Sequence, residues 1–449
     1  MPGRPPTRRI VLAAAGAIVL ALVILAAGAL GRERTETPAA ATPAIVENVG
    51  RPGALAPGAS LEQTIASLQA RLADLPGDYV SWATLGLAYV QQARITVDPT
   101  FYGLADGALA RSLEEGEDDN YLAFAGLSAL ASARHDFAAG REFAEQGLEI
   151  NDFSAILYGA LSDAQIQLGL YDEGFASIDR MVELVPDTAS LTRASYAAEL
   201  RGDIEQATVL MQRALDDAPN ASDRAFASFY LGELKFNAGD ANGALGDYNR
   251  AVEAAPNEPA LLAGKAKAEA ATGQVLTAIG TYAEVVERAP DPSYVTAYGR
   301  LLESLGRDAE ARQQYDVVEA TLALFAAEGV VPDAAPILFE AEHGDLNEAV
   351  AQSEVGVEQR PFIAMYDARA WALHLAGRDD EALDAIERAL ELGTPYASYH
   401  YHAGMIHRAL GNDDRALEEL QRAMEINSTF DPIDAPLAAE AIAELESAS

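Results

Sequence analysis

The feature that most constrains the fold of this chain is a repeat of roughly 34 residues, which runs from about Tyr79 to Ser428. Three clear copies read FNAGDANGALGDYNRAVEAAP, LRGDIEQATVLMQRALDDAP and HLAGRDDEALDAIERALELG. Each has a Gly-Asp or similar pair, then small residues at fixed offsets, and often a Pro near its end. A fixed period of this length is typical of a solenoid, in which every unit buries its apolar face on its neighbours. Such an array provides surfaces for binding, and a catalytic function would need an additional site.

Small residues form two columns in the repeat. Its eighth position holds Gly86, Ser128, Ser162, Ser195, Gly232, Ala266, Gly299, Ile337, Ala370 and Gly404, of which Ile337 is the departure. Its twentieth holds Ala105, Gly140, Gly174, Ala207, Ala244, Ala278, Ala311, Ala349, Ala382 and Ala416. A larger side chain there would push two helices apart, because cores tolerate overpacking poorly. The pattern resembles the tetratricopeptide repeat, a pair of antiparallel helices A and B, and the first copy, SWATLGLAY, carries the large and small residues typical of that family.

The resemblance implies an all-α fold, a right-handed superhelical solenoid of about ten helix pairs. An apolar run ahead of the repeats predicts one N-terminal transmembrane helix before this solenoid. The predicted boundaries are a cytoplasmic tail at 1–9, a transmembrane helix at 10–31, a flexible linker at 32–59, an N-terminal capping helix at 60–78, the array at 79–429 and a C-terminal capping helix at 430–449. The seventh copy runs on through EATLALFAAEG, which predicts a long second helix there.

The membrane anchor is predicted from the uncharged run between Ile10 and Leu30. At about 1.5 Å per residue this run spans about 31 Å, enough for the hydrocarbon core of a bilayer. Three arginines precede it, which favours an N-terminus in the cytoplasm and repeats outside it. The alternative is secretion after signal cleavage, because Ala27, Gly28 and Ala29 form a small-residue pattern suited to cleavage before Leu30. In both interpretations the array lies outside the cytoplasm.

The composition argues against several functions. The net charge is −38, so the surface repels nucleic acid phosphates, and there is no Cys to act as nucleophile or thiolate ligand. No phosphate loop, nucleophile elbow or HExxH motif occurs. The segment YHYHAGMIHRAL is the only site-like cluster, but His400 and His407 lie two helical turns apart, too far for one metal ion. We therefore predict a non-catalytic protein without a cofactor, and an enzyme or metal carrier is the alternative class.

A ligand-binding surface follows from the resemblance. In this family ligands bind the concave face, which helix A lines with its positions 2, 5, 9, 12 and 13. The corresponding residues here include Tyr196, Phe226, Phe229, Phe236, Lys267, Arg300, Trp371, Tyr401 and Arg408. Aromatic and Arg side chains are common anchors of protein interfaces. The alternative is that several of these rings fill the core between repeats.

The resemblance also indicates a function. The layout is similar to that of bacterial membrane-anchored tetratricopeptide proteins. It implies a non-catalytic scaffold for protein–protein interaction, anchored in the membrane and displayed outside the cytoplasm. The acidic surface favours a protein partner, or an extended peptide, that is basic or apolar. A narrower alternative is a factor that holds a client during envelope or cytochrome maturation.

Overall fold

The computed structural model describes residues 61–96, 98–116, 118–219, 221–256, 258–327 and 333–448. The predicted cytoplasmic tail, transmembrane helix and linker, residues 1–59, lie outside the described residues. Among the helices that are described, none combines the length and the apolar character needed to cross a bilayer.

The described residues form 22 α-helices and no strand. In chain order these are α1 (Leu61–Asp74), α2 (Tyr79–Thr96), α3 (Phe101–Glu115), α4 (Tyr121–Ala133), α5 (Phe137–Ile150), α6 (Ala155–Gln167), α7 (Tyr171–Leu184), α8 (Thr188–Leu200), α9 (Ile204–Asp216), α10 (Ala221–Asn237), α11 (Ala241–Ala254), α12 (Pro259–Ala271), α13 (Val275–Arg288), α14 (Pro292–Ser304), α15 (Asp308–Ala327), α16 (Ala334–His343), α17 (Leu346–Gln359), α18 (Ile363–Leu375), α19 (Asp379–Ala389), α20 (Ala397–Ala409), α21 (Asp413–Ile426) and α22 (Asp434–Ala448). Helices α2 to α21 pack as consecutive A and B pairs, with α1 before them and α22 after them.

The two columns of small residues lie where the helices of each pair touch. All the residues at the eighth and twentieth positions are buried. Where the eighth residue is Ser, its hydroxyl can be satisfied by the facing helix: Ser128 Oγ donates to Gly140 O, and Ser195 Oγ donates to Ala207 O, each at 2.7 Å. These bonds require a close approach of the two backbones, which larger residues would prevent.

The Gly-Asp pair marks the turn between helices A and B. Gly202 and Gly239 have φ of 77° and 84°, the left-handed conformation in which a helix commonly ends. The Asp that follows is the N-cap of helix B: Asp203 accepts the N–H of Gln206 at 3.0 Å, and Asp240 accepts that of Gly243 at 2.8 Å. One dipeptide thus ends helix A and begins helix B.

The array is irregular at its seventh and eighth pairs. Helix α15 has 20 residues, in agreement with the long helix predicted from the sequence of the seventh copy. Helix α16 has only 10 residues, and its large eighth-position residue, Ile337, is fully buried in an apolar cluster with Met365 and Ala368 of α18. The next repeat therefore accommodates the side chain that departs from the small-residue column.

Candidate functional site

An exposed group of rings lies on α10. Phe226 and Tyr230 are each 40% exposed, and their ring centroids are 4.8 Å apart, one helical turn along the same face. Phe229 contacts the Tyr230 ring edge-on at 5.1 Å and also packs against the buried Tyr248. We call Phe226, Phe229 and Tyr230 the aromatic patch. Phe226 and Tyr230 are exposed and could contact a partner, whereas Phe229 packs between Tyr230 and the buried core.

Tyr230 was not among the residues predicted from the repeat register. It stands at the sixth position of its repeat, which the family pattern does not assign to the concave face. Its spacing of four residues from Phe226 was the available signal, because residues i and i+4 share a helix face. The aromatic patch is therefore richer than the register alone indicated.

Ion pairs flank the aromatic patch. Arg193 of α8 donates to both carboxylate oxygens of Asp163 of α6, at 2.8 and 2.7 Å. On the other side, Lys267 Nζ of α12 lies 2.6 Å from Glu233 Oε2 of α10. These side chains come from four successive A helices, so the surface around the rings is polar and its charges are already paired.

The environment of Tyr230 extends further than its own helix. The side chain is partly exposed, but the protein around its hydroxyl group desolvates the phenol and raises its pKa. The positive charge of Arg94 in the first repeat lowers this pKa, and Glu233, Glu199 and Asp163 raise it. Burial also raises the pKa of Tyr196, which is half-buried in α8 beside Glu199. Charges from several repeats thus influence the pKa values of tyrosines on α8 and α10.

Three of the predicted binding rings are buried. Phe236 is only 3% exposed, with Lys267 Nζ 4.4 Å from its ring centroid, so both residues are occupied within the array. Trp371 and Tyr401 are 6% and 2% exposed and pack in one cluster with apolar residues of α22. The prediction that these rings are exposed to a partner is wrong, because the following repeat or α22 covers them.

The two predicted arginines also have partners within the chain. Arg408 pairs with Glu444 of α22, and its side chain stays partly exposed. Arg300 is mostly buried and pairs with Glu342, with Asp431 at 2.9 Å and with Asp434 at 2.7 Å. The prediction that Arg300 lies on an open groove is therefore wrong as well, because three acidic side chains from two later segments enclose it.

We call Arg300, Glu342, Asp431 and Asp434 the Arg300 cluster. Burial opposes ionisation of Asp431, but two of the three guanidinium nitrogens of Arg300 and two backbone N–H groups hold its pKa below the usual range. Burial raises the pKa of Asp434 to about 7; Arg300 counteracts this increase, and the negative charges of Asp431 and Glu342 add to it. The cluster joins α14, α16 and the start of α22.

Three histidines near the C-terminus each contact a carboxylate. His400 Nδ1 lies 2.7 Å from Glu419, and His402 Nδ1 lies 2.7 Å from Asp367. His374 Nδ1 lies 2.6 Å from Asp379. No group of three or more metal-ligating side chains suited to a metal ion occurs within the described ranges. These histidines serve as hydrogen-bonding partners between and within repeats.

Stacked pairs of antiparallel helices with small residues at each contact define an α-solenoid repeat protein. Residues 397–430, which cover the tenth helix pair, match the family model of the tetratricopeptide repeat. The other helix pairs follow the same register of small residues as this matched repeat.

Three solved structures are similar to this chain at low identity. A tetratricopeptide repeat protein from Parabacteroides merdae is 19% identical, over 58% of this chain and 98% of that chain, with a TM-score of 0.33. The APC/C hetero-tetramer Cut9-Hcn1 gives 12% identity over 86% and 93%, with a TM-score of 0.38. The human IFIT1 dimer with PPP-AAAA gives 13% identity over 82% and 87%, with a TM-score of 0.46. No curated protein sequence matches the chain.

Proposed function

We propose that the chain is a non-catalytic scaffold that binds protein partners on the concave side of its array, through the aromatic patch. The observation that carries this proposal is the exposure of Phe226 and Tyr230, since buried aromatic anchors often dominate the free energy of protein association. Phe229 packs against Tyr230, which in turn contacts Phe226, so little conformational entropy is lost when a partner covers the exposed rings.

The proposed partner is an extended polypeptide segment with basic and apolar residues. A net charge of −38 attracts basic segments and repels acidic ones, in a manner that salt weakens. The narrower task of holding an unfolded client during envelope or cytochrome maturation would use the same surface. It would differ in requiring little sequence specificity beyond charge and apolar content.

Binding tests the role of the aromatic patch. We expect the double change Phe226→Ala with Tyr230→Ala to weaken the binding of basic, aromatic-containing peptides on the order of tenfold or more, because it removes both exposed rings. The measurement is fluorescence anisotropy of a synthetic peptide set at low and high salt. Phe153→Ala removes another exposed ring, 68% exposed and outside α10, and is the matched control. Equal affinity of all three proteins would contradict the proposal, provided that their circular dichroism spectra agree.

We also propose that residues 10–31 anchor the chain in a membrane, with the array outside the cytoplasm. The long uncharged run and the arginines before it support this orientation. A reporter that is active only outside the cytoplasm, fused after Ser449, should be active, whereas a cytoplasm-only reporter should be silent. Recovery of the mature protein free of the membrane, with its N-terminus near Leu30, would instead support the secreted alternative.

A further inference from the structure

Turns of three early repeats contact links of three late repeats. Arg360 donates to Gln167, Thr394 Oγ1 donates to Leu200 O at 2.6 Å, and Asn427 Nδ2 donates to Phe236 O at 2.8 Å. The bonded residues are separated by 193, 194 and 191 positions in the sequence. At about 34 residues per repeat, each contact joins repeats that are between five and six units apart. We call these three contacts together the turn-to-turn contact.

An apolar core continues across the turn-to-turn contact. Ile166 and Leu200, from early repeats, belong to the same buried cluster as Phe362 and Ile363, at the start of α18. The Ile363 N–H also donates to Tyr171 Oη at 3.0 Å. Burying this surface favours the contact, because apolar area is removed from water in addition to the hydrogen bonds that form.

Three glycines allow the backbones to approach. A Cβ atom added at Gly169, Gly202 or Gly239 would lie 2.6, 2.9 or 2.6 Å from a carbonyl oxygen of the facing link. Gly273 and Gly306 occupy equivalent turns with similar positive φ, 80° and 70°, yet a Cβ there would meet nothing within 4 Å. The close approach is therefore a property of the three facing turns and does not follow from their backbone conformation.

We infer that the turn-to-turn contact closes the concave face into a channel around the aromatic patch, which admits extended polypeptide segments and excludes folded domains. The inference rests on the proposed function for the nature of the occupant. Tyr396, from the link before α20, donates to Glu199 of α8 at 3.2 Å, so a late repeat reaches this part of the array. Charges of the first, third and fourth repeats also influence the pKa of Tyr230 in the fifth. Because these distant turns and links are in contact, a partner cannot enter the channel between them from the side. It therefore enters the channel along the axis of the superhelix.

The charge of the chain indicates the chemistry of the occupant. The channel belongs to a protein of net charge −38, and the carboxylates of Asp163, Glu199 and Glu233 raise the pKa of Tyr230. Burial raises the pKa of Glu199 to about 7, and Tyr396 from the facing turn donates to this carboxyl at 3.2 Å. An extended segment with basic and apolar residues suits such walls better than an acidic one.

The test measures access to the channel without any partner. The chain has no Cys, so Tyr230→Cys in the full-length protein creates a unique thiol. We expect N-ethylmaleimide to label it readily. A bulky polyethylene-glycol maleimide should label this thiol on the order of a hundredfold more slowly than a thiol created by Phe153→Cys, at a well-exposed position, because the bulky reagent must wait for local opening. Equal labelling of the two sites by the bulky reagent would overturn the inference.

Glycine variants connect this protection to the turn-to-turn contact. Gly202→Ala with Gly239→Ala, added to Tyr230→Cys, should accelerate labelling by the bulky reagent on the order of tenfold or more, because the new methyl groups force the turns apart. Gly273→Ala with Gly306→Ala carries the same backbone strain and should leave the rate unchanged. Identical rates in both double variants would refute the turn-to-turn contact as the cause. Labelling needs no peptide, so a failure of peptide binding would overturn the proposed function and leave this result standing.

Discussion

Replacing Arg300 by Gln should destabilise the C-terminal end of the array by about 3–5 kcal/mol at pH 8, because it leaves buried carboxylates without their cation. Arg300 is the shared partner of Glu342, Asp431 and Asp434, and all four side chains are mostly buried. Urea unfolding followed by the fluorescence of Trp371 measures the effect locally, since its Nε1 donates to Glu342 at 2.9 Å. A Trp82→Phe background removes the other tryptophan.

The effect of Arg300→Gln should depend on pH. The pKa of Asp434 rises from 3.8 to about 7 on folding, so the folded state favours its protonated form. The stability that this group contributes is fully present below pH 4 and is lost as the pH rises through 7. Without Arg300, the pKa of Asp434 should rise further, and the pKa of Asp431 should rise from its lowered value. At pH 5 these acids would take up protons, and the destabilisation should be smaller than at pH 8.

Two further variants make the Arg300 prediction specific. Arg307→Gln removes an exposed arginine that pairs only across one helical turn with Glu310, and it should change the unfolding midpoint little. Arg300→Gln combined with Asp434→Asn should recover part of the lost stability, because one uncompensated carboxylate is removed with its cation. The prediction would be wrong if Arg307→Gln and Arg300→Gln had the same effect.

Gly264→Ala should destabilise the array by about 1–3 kcal/mol, because its new methyl group overlaps a ring that cannot move. A Cβ atom at Gly264 would lie 2.5 Å from the Tyr248 ring, and one at Gly232 would meet the same ring from the other side at 2.5 Å. Tyr248 is completely buried, and its hydroxyl bonds to Glu233. The two glycines and this bond fix the ring in position.

Gly280→Ala is the matched control for Gly264→Ala. Gly280 lies in the middle of α13, is exposed, and offers open space to an added Cβ atom. The same substitution should therefore stabilise the protein, by up to about 1 kcal/mol, because Ala loses less conformational entropy than Gly in a helix. Thermal unfolding followed by circular dichroism should show shifts of opposite sign. Melting temperatures that shift in the same direction would contradict this packing of Tyr248.

Local structure could be predicted from the sequence because the determinants repeat. The small residues at the eighth and twentieth positions specify where two adjacent helices touch, and Gly-Asp specifies the turn between them. Each of these interactions involves residues within one repeat length, so its physical requirements are visible as a period. The long helix α15 was predictable for the same reason, as its sequence lacks the usual stop.

The candidate site could be predicted only in part. Phe226 was identified from its register and is exposed, but Phe236, Arg300, Trp371 and Tyr401 occupy groove positions and are buried. Register specifies the direction in which a side chain leaves its own helix. It carries no information about which distant segment covers that side chain, and α22 with the link before it covers much of the C-terminal part.

By itself the sequence determined the helix pairs, their turns and their stacking on adjacent pairs, since these interactions are local and periodic. Tertiary structure alone decided which rings remain exposed, how Arg300 is neutralised, and where Gly169, Gly202 and Gly239 approach a facing turn. Those outcomes depend on the pitch of the superhelix, which accumulates small rotations over five to six repeats. A contact across roughly 190 residues therefore leaves no short-range pattern, and only the assembled array reveals it.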